Sequence, residues 1–275
     1  MNPSFHIQAP QIDTATAHLF VEAGPMGISF VIQDAGNCFV AVVVYAFPAN
    51  INAATIADQL EEIINRETIL QQQYKKKDIA WTFPESILVP PEFMDAAANT
   101  EMLDLIYGDL NRGNTKTDFL FKHNLHNVYR IPVEVSNGFA RHFPYTSETH
   151  QYSLLPDLVA NTGNHLLAIF YNSRLTIVLH KEGKLQLIRN FEYRDPDDAA
   201  YHLLNVCENF ETDTSTVVLH LAGMIDAGSG LYAGLYKYFL NIQFETLPEN
   251  VLFTDEIKDQ PHHYFSYLFA LALCV

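Results

Sequence analysis

A cluster of acidic side chains is the first candidate for a functional site in this chain. Asp195, Asp197 and Asp198 stand close together, and carboxylate oxygens are the ligands that Mg²⁺ and Ca²⁺ prefer. With Pro196, the same acids also fit the start of a helix, where exposed amides and the helix dipole favour negative charge. Capping explains all four residues, so we expect a helix here and no metal site.

Histidine pairs and a glycine-rich loop are weaker candidates. His123 and His126 could ligate a metal ion, but no third ligand follows at a diagnostic spacing, and His262-His263 has the same weakness. Gly228-Ser229-Gly230 precedes a predicted helix, where it could either bind an anion or form an ordinary loop and cap. The chain has no Ser/His/Asp motif, P-loop or dinucleotide fingerprint, so motifs assign no reaction.

The charge of the chain argues against a nucleic-acid partner. Lys and Arg total 16 against 32 for Asp and Glu, which gives a formal net charge of −16. Binding to a polyphosphate backbone depends mainly on cationic side chains that displace counterions. The run Lys75-Lys76-Lys77 is too short to change this balance and is interpreted as the solvated end of a helix.

Cysteine usage and hydropathy indicate the compartment. Cys38, Cys207 and Cys274 are odd in number and form no CxxC pair, so neither a disulfide framework nor a zinc knuckle is predicted. The N-terminus has no basic region followed by an apolar core. The longest apolar run, Tyr264 to Val275, is shorter than the roughly 20 residues that a membrane span needs. We expect a cytoplasmic, soluble protein whose last run is a buried helix or strand.

The elements around these residues form a repeat. Two tight turns divide Asn164 to Tyr193 into three alternating apolar strands, which predicts an antiparallel meander. His18 to Phe47 has nearly the same strand and turn spacing. In each half an amphipathic helix, a strand and a second helix follow. The order βββαβα twice predicts two lobes, residues 1–148 and residues 149–275.

The halves diverge after that unit. Asp118 to Phe121, Tyr129 to Val135 and Val251 to Thr254 are further predicted strands, and Gly230 to Leu240 is the second helix of the second half. The polar turn formers of Asn111 to Thr117 predict a mobile loop.

This repeat resembles the RNase H-like, actin-like ATPase superfamily, in which two such lobes flank a nucleotide cleft. Three segments carry a more specific resemblance to a family of uncharacterised bacterial proteins assigned to that fold: Phe191 to Phe210, Val217 to Ile225 and Leu231 to Glu245. The resemblance implies an α/β fold of two lobes, each with a mixed sheet, and it implies no mechanism. Pilus-assembly and type II secretion proteins with actin-like domains are similar in outline, which suggests scaffolding as one use.

The resemblance also implies where a nucleotide would bind. Active members carry Asp-x-Gly after the first strand of each lobe, because a carboxylate holds hydrated magnesium and glycine-turn amides cradle phosphates. The matching positions here are Glu22 and Gly24 in the first half, followed by Pro25, and Asn172 and Ser173 in the second. Gly223 follows a strand where the superfamily places its adenosine loop.

These positions imply a vestigial nucleotide cleft, since Glu22 replaces Asp, Pro25 has no amide and the second half has no carboxylate. We therefore expect no cofactor, no working ATPase and a binding or scaffolding role with protein partners. A divergent ATPase or kinase that uses Glu22 is the alternative, and a small-molecule sensor is a third interpretation. A nuclease would need several acids converging on two metals, which the predicted strands do not supply.

Overall fold

The protein is described by a computed structural model that covers residues 1–48, 51–108 and 113–275. Its contacts group the chain into two compact units. The first unit is Met1–Ser153 with Glu249–Asp259 and Cys274–Val275, and the second is Leu154–Pro248 with Gln260–Leu273.

The first unit has two sheets with helices between their strands. Its strands are β1 (Phe5–Gln8), β2 (His18–Gly24), β3 (Gly27–Gln33), β4 (Cys38–Ala46), β5 (Lys76–Trp81), β6 (Ser86–Val89), β7 (Gly113–Leu120), β8 (Leu125–Pro132) and β9 (Ser147–His150). Its helices are α1 (Ala53–Arg66), α2 (Ala96–Tyr107), α3 (Val133–His142) and α4 (Gln151–Leu154), the last of which ends on the first residue of the second unit, with 3₁₀ turns at Thr68–Gln71 and Pro91–Phe93.

The main sheet of the first unit has the order β1-β4-β3-β2-β5-β9. β2, β3 and β4 form the predicted antiparallel meander, and β5 and β9 continue the sheet in parallel, so the sheet is mixed. A smaller antiparallel sheet has the order β6-β8-β7. The βββαβ part of the predicted unit is therefore present, and α2 follows it.

Two helices cover one face of the main sheet. The side chain of Asn52 caps α1 by accepting a hydrogen bond from the Thr55 amide, at 2.9 Å. α1 then buries one side at helical spacing, through Ile56, Leu60, Ile63 and Ile64. On α3, Phe139 packs edge-on against Trp81 with ring centroids 4.8 Å apart. These contacts form the apolar core of the first unit.

The second unit repeats this plan. Its elements are β10 (His165–Phe170), β11 (Arg174–Lys181), β12 (Lys184–Glu192), α5 (Pro196–Asn209), β13 (Val218–Gly223), α6 (Gly230–Leu235) and β14 (Asn241–Phe244), with a 3₁₀ turn at Leu155–Leu158. The sheet order is β12-β11-β10-β13-β14, antiparallel through the meander and parallel beyond it. Asp195 caps α5, because its carboxylate accepts from the Asp198 amide at 2.9 Å. This confirms the mixed-sheet βββαβα plan.

β12 lies at one end of the second unit's sheet. No strand in the described ranges pairs with its outer side. Its register against β11 shifts between Leu179 and His180, and its exposed side chains include Lys184 and Arg189.

The C-terminal elements are β15 (Leu252–Phe253), α7 (Asp255–Lys258), a 3₁₀ turn at His262–Tyr264 and α8 (Ser266–Cys274). β15 pairs in parallel with β4, and this pairing attaches residues 249–259 to the first unit. The predicted lobe of residues 149–275 included that segment, and the division into two lobes stays a prediction. No helix in the described ranges is both long and apolar enough to cross a lipid bilayer.

Four local predictions are wrong. Lys75-Lys76-Lys77 is not the end of a helix, because β5 begins at Lys76. Tyr129 to Val135 is not one strand, because β8 ends at Pro132 and α3 begins at Val133. α6 ends at Leu235 rather than Leu240. Residues 113–117 lie in β7 and not in a loop, because they pair with β8; residues 111 and 112 of that predicted loop lie outside the described residues.

Candidate functional site

Glu22, the predicted magnesium-binding carboxylate, lies on β2, two residues before the strand ends. Its side chain is buried, with 4% of its surface exposed. Oε1 of Glu22 accepts a hydrogen bond from Nε2 of Gln151, the first residue of α4, at 3.0 Å, and Gln151 is also buried. A carboxylate that holds hydrated magnesium must reach water. The observed carboxylate instead holds α4 against the main sheet of the same unit.

Gly24 lies where packing requires a glycine. It pairs with Gly27 across the turn between β2 and β3, and a Cβ atom at Gly24 would lie 2.1 Å from Oγ1 of Thr82. The amide of Thr82 donates to the carbonyl of Ala23, at 3.0 Å, so β5 runs close beside this turn. Pro25 brings no amide to the turn. The close approach of Thr82 accounts for Gly24 without a phosphate.

Asn172 and Ser173 form the turn between β10 and β11 in the second unit. The Tyr171 amide donates to the Arg174 carbonyl at 2.8 Å, and the Tyr193 amide donates to the Ser173 carbonyl at 3.0 Å. Asn172 is exposed and Ser173 is half-buried. The turn is therefore accessible, but its side chains are neutral and offer no carboxylate for a cation.

Gly223 lies at the end of β13, beside this turn. It pairs with Phe170, the last residue of β10, so the structure brings it to the same edge of the sheet as Asn172 and Ser173. Its φ angle is +81°, and a Cβ atom there would lie 2.2 Å from the Phe170 carbonyl oxygen. The Met224 amide donates to that same oxygen, at 2.7 Å. Backbone conformation and close packing explain this glycine.

The loop before α6 caps the helix. Oγ of Ser229 accepts from the Tyr232 amide at 3.1 Å and donates to the Asp226 carbonyl at 2.7 Å. The hydroxyl is thus used within the loop, as the capping interpretation predicts. In the part of the chain that the structure describes, no three His, Cys, Asp or Glu side chains are placed to hold a metal ion.

A polar cluster around Asp118 was not predicted. Oδ2 of Asp118 accepts from Oγ1 of Thr149 at 2.8 Å, from the His150 amide at 2.8 Å and from Oγ of Ser153 at 2.6 Å. Oδ1 accepts from the Tyr129 hydroxyl at 3.2 Å. Burial, followed by the charge of Asp118, raises the pKa of Tyr129. A carboxylate with so many donors links β7, β8, β9 and α4, which indicates a structural role.

Histidines begin the first strand of both meanders and contact the neighbouring parallel strand. Nε2 of His18 lies 2.6 Å from Oδ2 of Asp78 in the first unit. Nδ1 of His165 lies 2.9 Å from Nε2 of His220 in the second, and Nδ1 of His220 lies 2.5 Å from Oε1 of Glu245. His18 and His165 begin the matching strands of the two repeated meanders, and this match was the sequence signal for the pair of clusters. Their partners, Asp78 and His220, lie too far away in the sequence for spacing to reveal them.

Comparisons with known proteins agree on the fold. A family model described as protein of unknown function (DUF3822) matches residues 8–242. One similar structure is a protein with actin-like ATPase fold and unknown function from Bacteroides thetaiotaomicron VPI-5482. It is 18% identical, the match covers 96% of this chain and 100% of that chain, and the TM-score is 0.76.

A second similar structure is the PilM–PilN type IV pilus biogenesis complex. It is 14% identical, with 96% of this chain and 98% of that chain covered and a TM-score of 0.57. No curated protein sequence matches the chain. At these identities the similar structures show the fold, and they confirm the predicted actin-like ATPase architecture.

Proposed function

This chain belongs to the DUF3822 family of proteins of unknown function and has an actin-like ATPase fold, and from this premise we propose that it binds or scaffolds other proteins without catalysing a reaction. The hydrogen bond between Glu22 and Gln151 carries the proposal. The one acidic side chain at the predicted phosphate turns is buried and engaged by an amide. The geometry of the Glu22 carboxylate supports a structural role for this side chain.

The residues at the predicted positions do not fit magnesium-bound ATP. Phosphoryl transfer in such sites depends on positioning, with a carboxylate on the hydrated metal ion and backbone amides around the phosphates. Glu22 is buried and Pro25 lacks an amide in the first unit. The turn at Asn172 and Ser173 has no carboxylate in the second. The remnants of a nucleotide cleft therefore stay a prediction at five positions, Glu22, Gly24, Asn172, Ser173 and Gly223.

Use of this fold within a complex has a precedent among the similar structures. One of them is a complex of PilM and PilN, which is a statement about those proteins. For this chain, the formal charge of −16 favours protein partners over nucleic acid.

We place this role in the cytoplasm. Cys38, Cys207 and Cys274 form no disulfide with one another. Burial raises the pKa of Cys207 to about 11, so this thiol is protonated and unreactive at neutral pH. Cysteines outside disulfides are typical of a reducing compartment.

Thermal unfolding with and without millimolar Mg-ATP tests the proposal. A ligand at a hundred times its dissociation constant adds about 2.7 kcal/mol to the free energy of unfolding, which raises the melting temperature by several degrees. We expect no shift with Mg-ATP beyond that with magnesium alone, and no phosphate release. A shift seen in the natural chain and lost in Glu22→Ala would instead support the alternative, a divergent ATPase or kinase. Each variant is compared with itself, so a less stable Glu22→Ala protein remains informative.

A further inference from the structure

Helix α2 exposes several large apolar side chains, which is unusual for a helix at a protein surface. Its inner side buries Leu103 and Asn99 against the small β6-β8-β7 sheet. Beside this buried side, Met102, Leu105 and Ile106 are exposed, with 46%, 86% and 53% of their surfaces accessible. Surface helices normally present polar residues to water.

The exposed apolar residues share one stripe of the helix. Ala98, Met102 and Leu105 follow one another at spacings of four and three, which places them on the same side, and Ile106 adjoins them. We call these four residues the α2 face. Phe93, in the 3₁₀ turn just before α2, is 68% exposed. A stripe with this spacing matches the seam along which two helices pack.

The α2 face is held in place at both ends of the helix. The carboxylate of Asp95 accepts from the amides of Ala97 and Ala98, at 3.0 and 2.9 Å. At the other end, the buried Arg130 guanidinium binds Asp104 and donates to the Gly108 carbonyl at 2.7 Å. The exposed stripe is therefore a preformed surface, and a preformed surface loses less entropy when it binds.

The core beneath α2 contains few side chains. Only Val89, Leu103 and Val128 are fully buried in the cluster between α2 and the small sheet in the described residues, with Ile87 and Met94 packed against them. Large apolar patches on soluble proteins usually mark sites of interaction. The exposed α2 face is therefore better explained by a covering partner than by the small core beneath it.

Charge distinguishes the possible occupants. Residues 91–108 contain Glu92, Asp95, Glu101 and Asp104 and no Lys or Arg. Two copies meeting through this face would bring like charges together, and an anionic lipid surface would be repelled in the same way. Asp95 caps α2 and Asp104 binds Arg130. Glu92 and Glu101 are therefore the acids that a segment with an apolar stripe and cationic flanks would satisfy.

We propose that the α2 face is a docking site for an amphipathic helix of a partner protein, with Lys or Arg beside its apolar stripe. This is the helix-on-helix mode of recognition, in which apolar residues at i, i+3, i+4 and i+7 anchor the segment. The inference rests on the proposed binding function and names the class of its partner. Its test uses no nucleotide, so the two can fail separately.

The experiment measures binding of labelled peptides to the full chain by fluorescence anisotropy. The probe is a leucine–lysine peptide of about 18 residues, or five helical turns, with leucines at i, i+3, i+4 and i+7. The control peptide has the same composition in an order that breaks the stripe, which keeps its charge. We expect the probe to bind at least about tenfold more tightly than the control peptide, because an ordered stripe can fill the α2 face.

Protein variants locate the binding site. Leu105→Gln is expected to raise the dissociation constant of the probe about tenfold, since one central apolar anchor carries much of such an interface. Leu240→Gln, a matched change at a 72% exposed leucine of the second unit, is expected to change it less than about twofold. Glu101→Gln is expected to weaken binding and to reduce its dependence on salt.

Four results would overturn the proposal. If the natural chain and Leu105→Gln bind the probe equally well, the probe does not bind at the α2 face. If the two peptides bind equally well, net charge alone explains the binding. A dimer in sedimentation that Leu105→Gln abolishes would assign the face to a second copy. Binding to phosphatidylglycerol vesicles that Leu105→Gln abolishes would assign it to lipid. Failure of the peptide test together with a null Mg-ATP result would leave the non-catalytic proposal intact.

Discussion

Nδ1 of His165 and Nε2 of His220 lie 2.9 Å apart across the parallel strands β10 and β13. At this distance one nitrogen donates to the other, so the pair is stable only while at least one ring is neutral. Burial first, and the neighbouring His220 second, lower the pKa of His165, while the Thr162 carbonyl and Glu245 act in the opposite direction. The net effect is that folding disfavours protonation of His165.

Acidification should therefore destabilise the second unit. Because the pKa of His165 is lower in the folded state, the unfolded chain binds the proton first, and the free energy of unfolding falls as pH drops below about 6.5. His165→Asn is expected to make the free energy of unfolding less dependent on pH between 7 and 5. Urea unfolding at several pH values measures this, with His262→Asn as a control at an exposed histidine. An unchanged slope in His165→Asn would contradict the prediction.

His150 should produce a stronger pH effect in the first unit. It is fully buried, its Nε2 lies 2.8 Å from the Phe83 carbonyl, its Nδ1 accepts from the Tyr152 amide, and burial lowers its pKa to about 4. Protonation in the unfolded chain alone removes about 3 kcal/mol of stability as pH falls from about 6.5 to 4.

We expect His150→Asn to be less stable than the natural chain at pH 7 but to lose less stability on acidification. Chemical unfolding monitored by the fluorescence of Trp81 reports on this unit. His262→Asn, at an exposed histidine of the second unit, is the control. An unchanged pH dependence in His150→Asn would show that other groups cause it.

Gly223→Ala should destabilise the second unit by about 2 kcal/mol or more, because a side chain costs energy at φ +81° and its Cβ would meet the Phe170 carbonyl. Gly228→Ala is the matched control, since nothing lies within 4 Å of a Cβ there, and it should change stability by less than about 0.5 kcal/mol. Thermal unfolding compares the two. Similar melting temperatures would mean that close packing does not explain Gly223.

Arg130→Ala should cost about 3 to 5 kcal/mol, because it leaves Glu85 and Asp104 without the buried guanidinium that they contact. Arg141→Ala removes an exposed ion pair with Glu61, at 3.1 Å, and should cost less than about 1 kcal/mol. Hydrogen exchange of α2 amides should accelerate in Arg130→Ala and not in Arg141→Ala. Unchanged exchange in α2 would contradict the anchoring role of Arg130.

Local patterns predicted the meanders and the first helix of each half. The turn at Glu182-Gly183 has φ angles of +53° and +74°, as a tight hairpin turn requires, and it sits between alternating strands whose period is plain in the sequence. The cap of α5 was predicted because Asp195 and Pro196 act on their immediate neighbours. The turn and the cap both depend on neighbours in sequence, and local patterns predicted both.

Long-range packing determines the features that the sequence did not predict. Val133 and Val135 favour a strand by their intrinsic propensity, but α3 forms because Val135 and Phe139 fill the core beside Trp81. The hydrogen bond between Glu22 and Gln151 joins residues far apart in the chain, and no spacing rule reveals such a partner. The candidate site stays a prediction from the repeat, and the burial of Glu22 could come only from the structure.

The outer side of β12 also affects whether copies of this chain aggregate at high concentration. An unpaired strand offers a template on which other chains can stack into fibrils. The register shift opposite Leu179 and His180 interrupts the regular backbone repeat that a stacking strand would need. The exposed charges of Lys184 and Arg189 would also lose hydration if another strand paired with β12. The second unit thus carries its own barrier to amyloid-like growth at a strand that no other strand of the described chain covers.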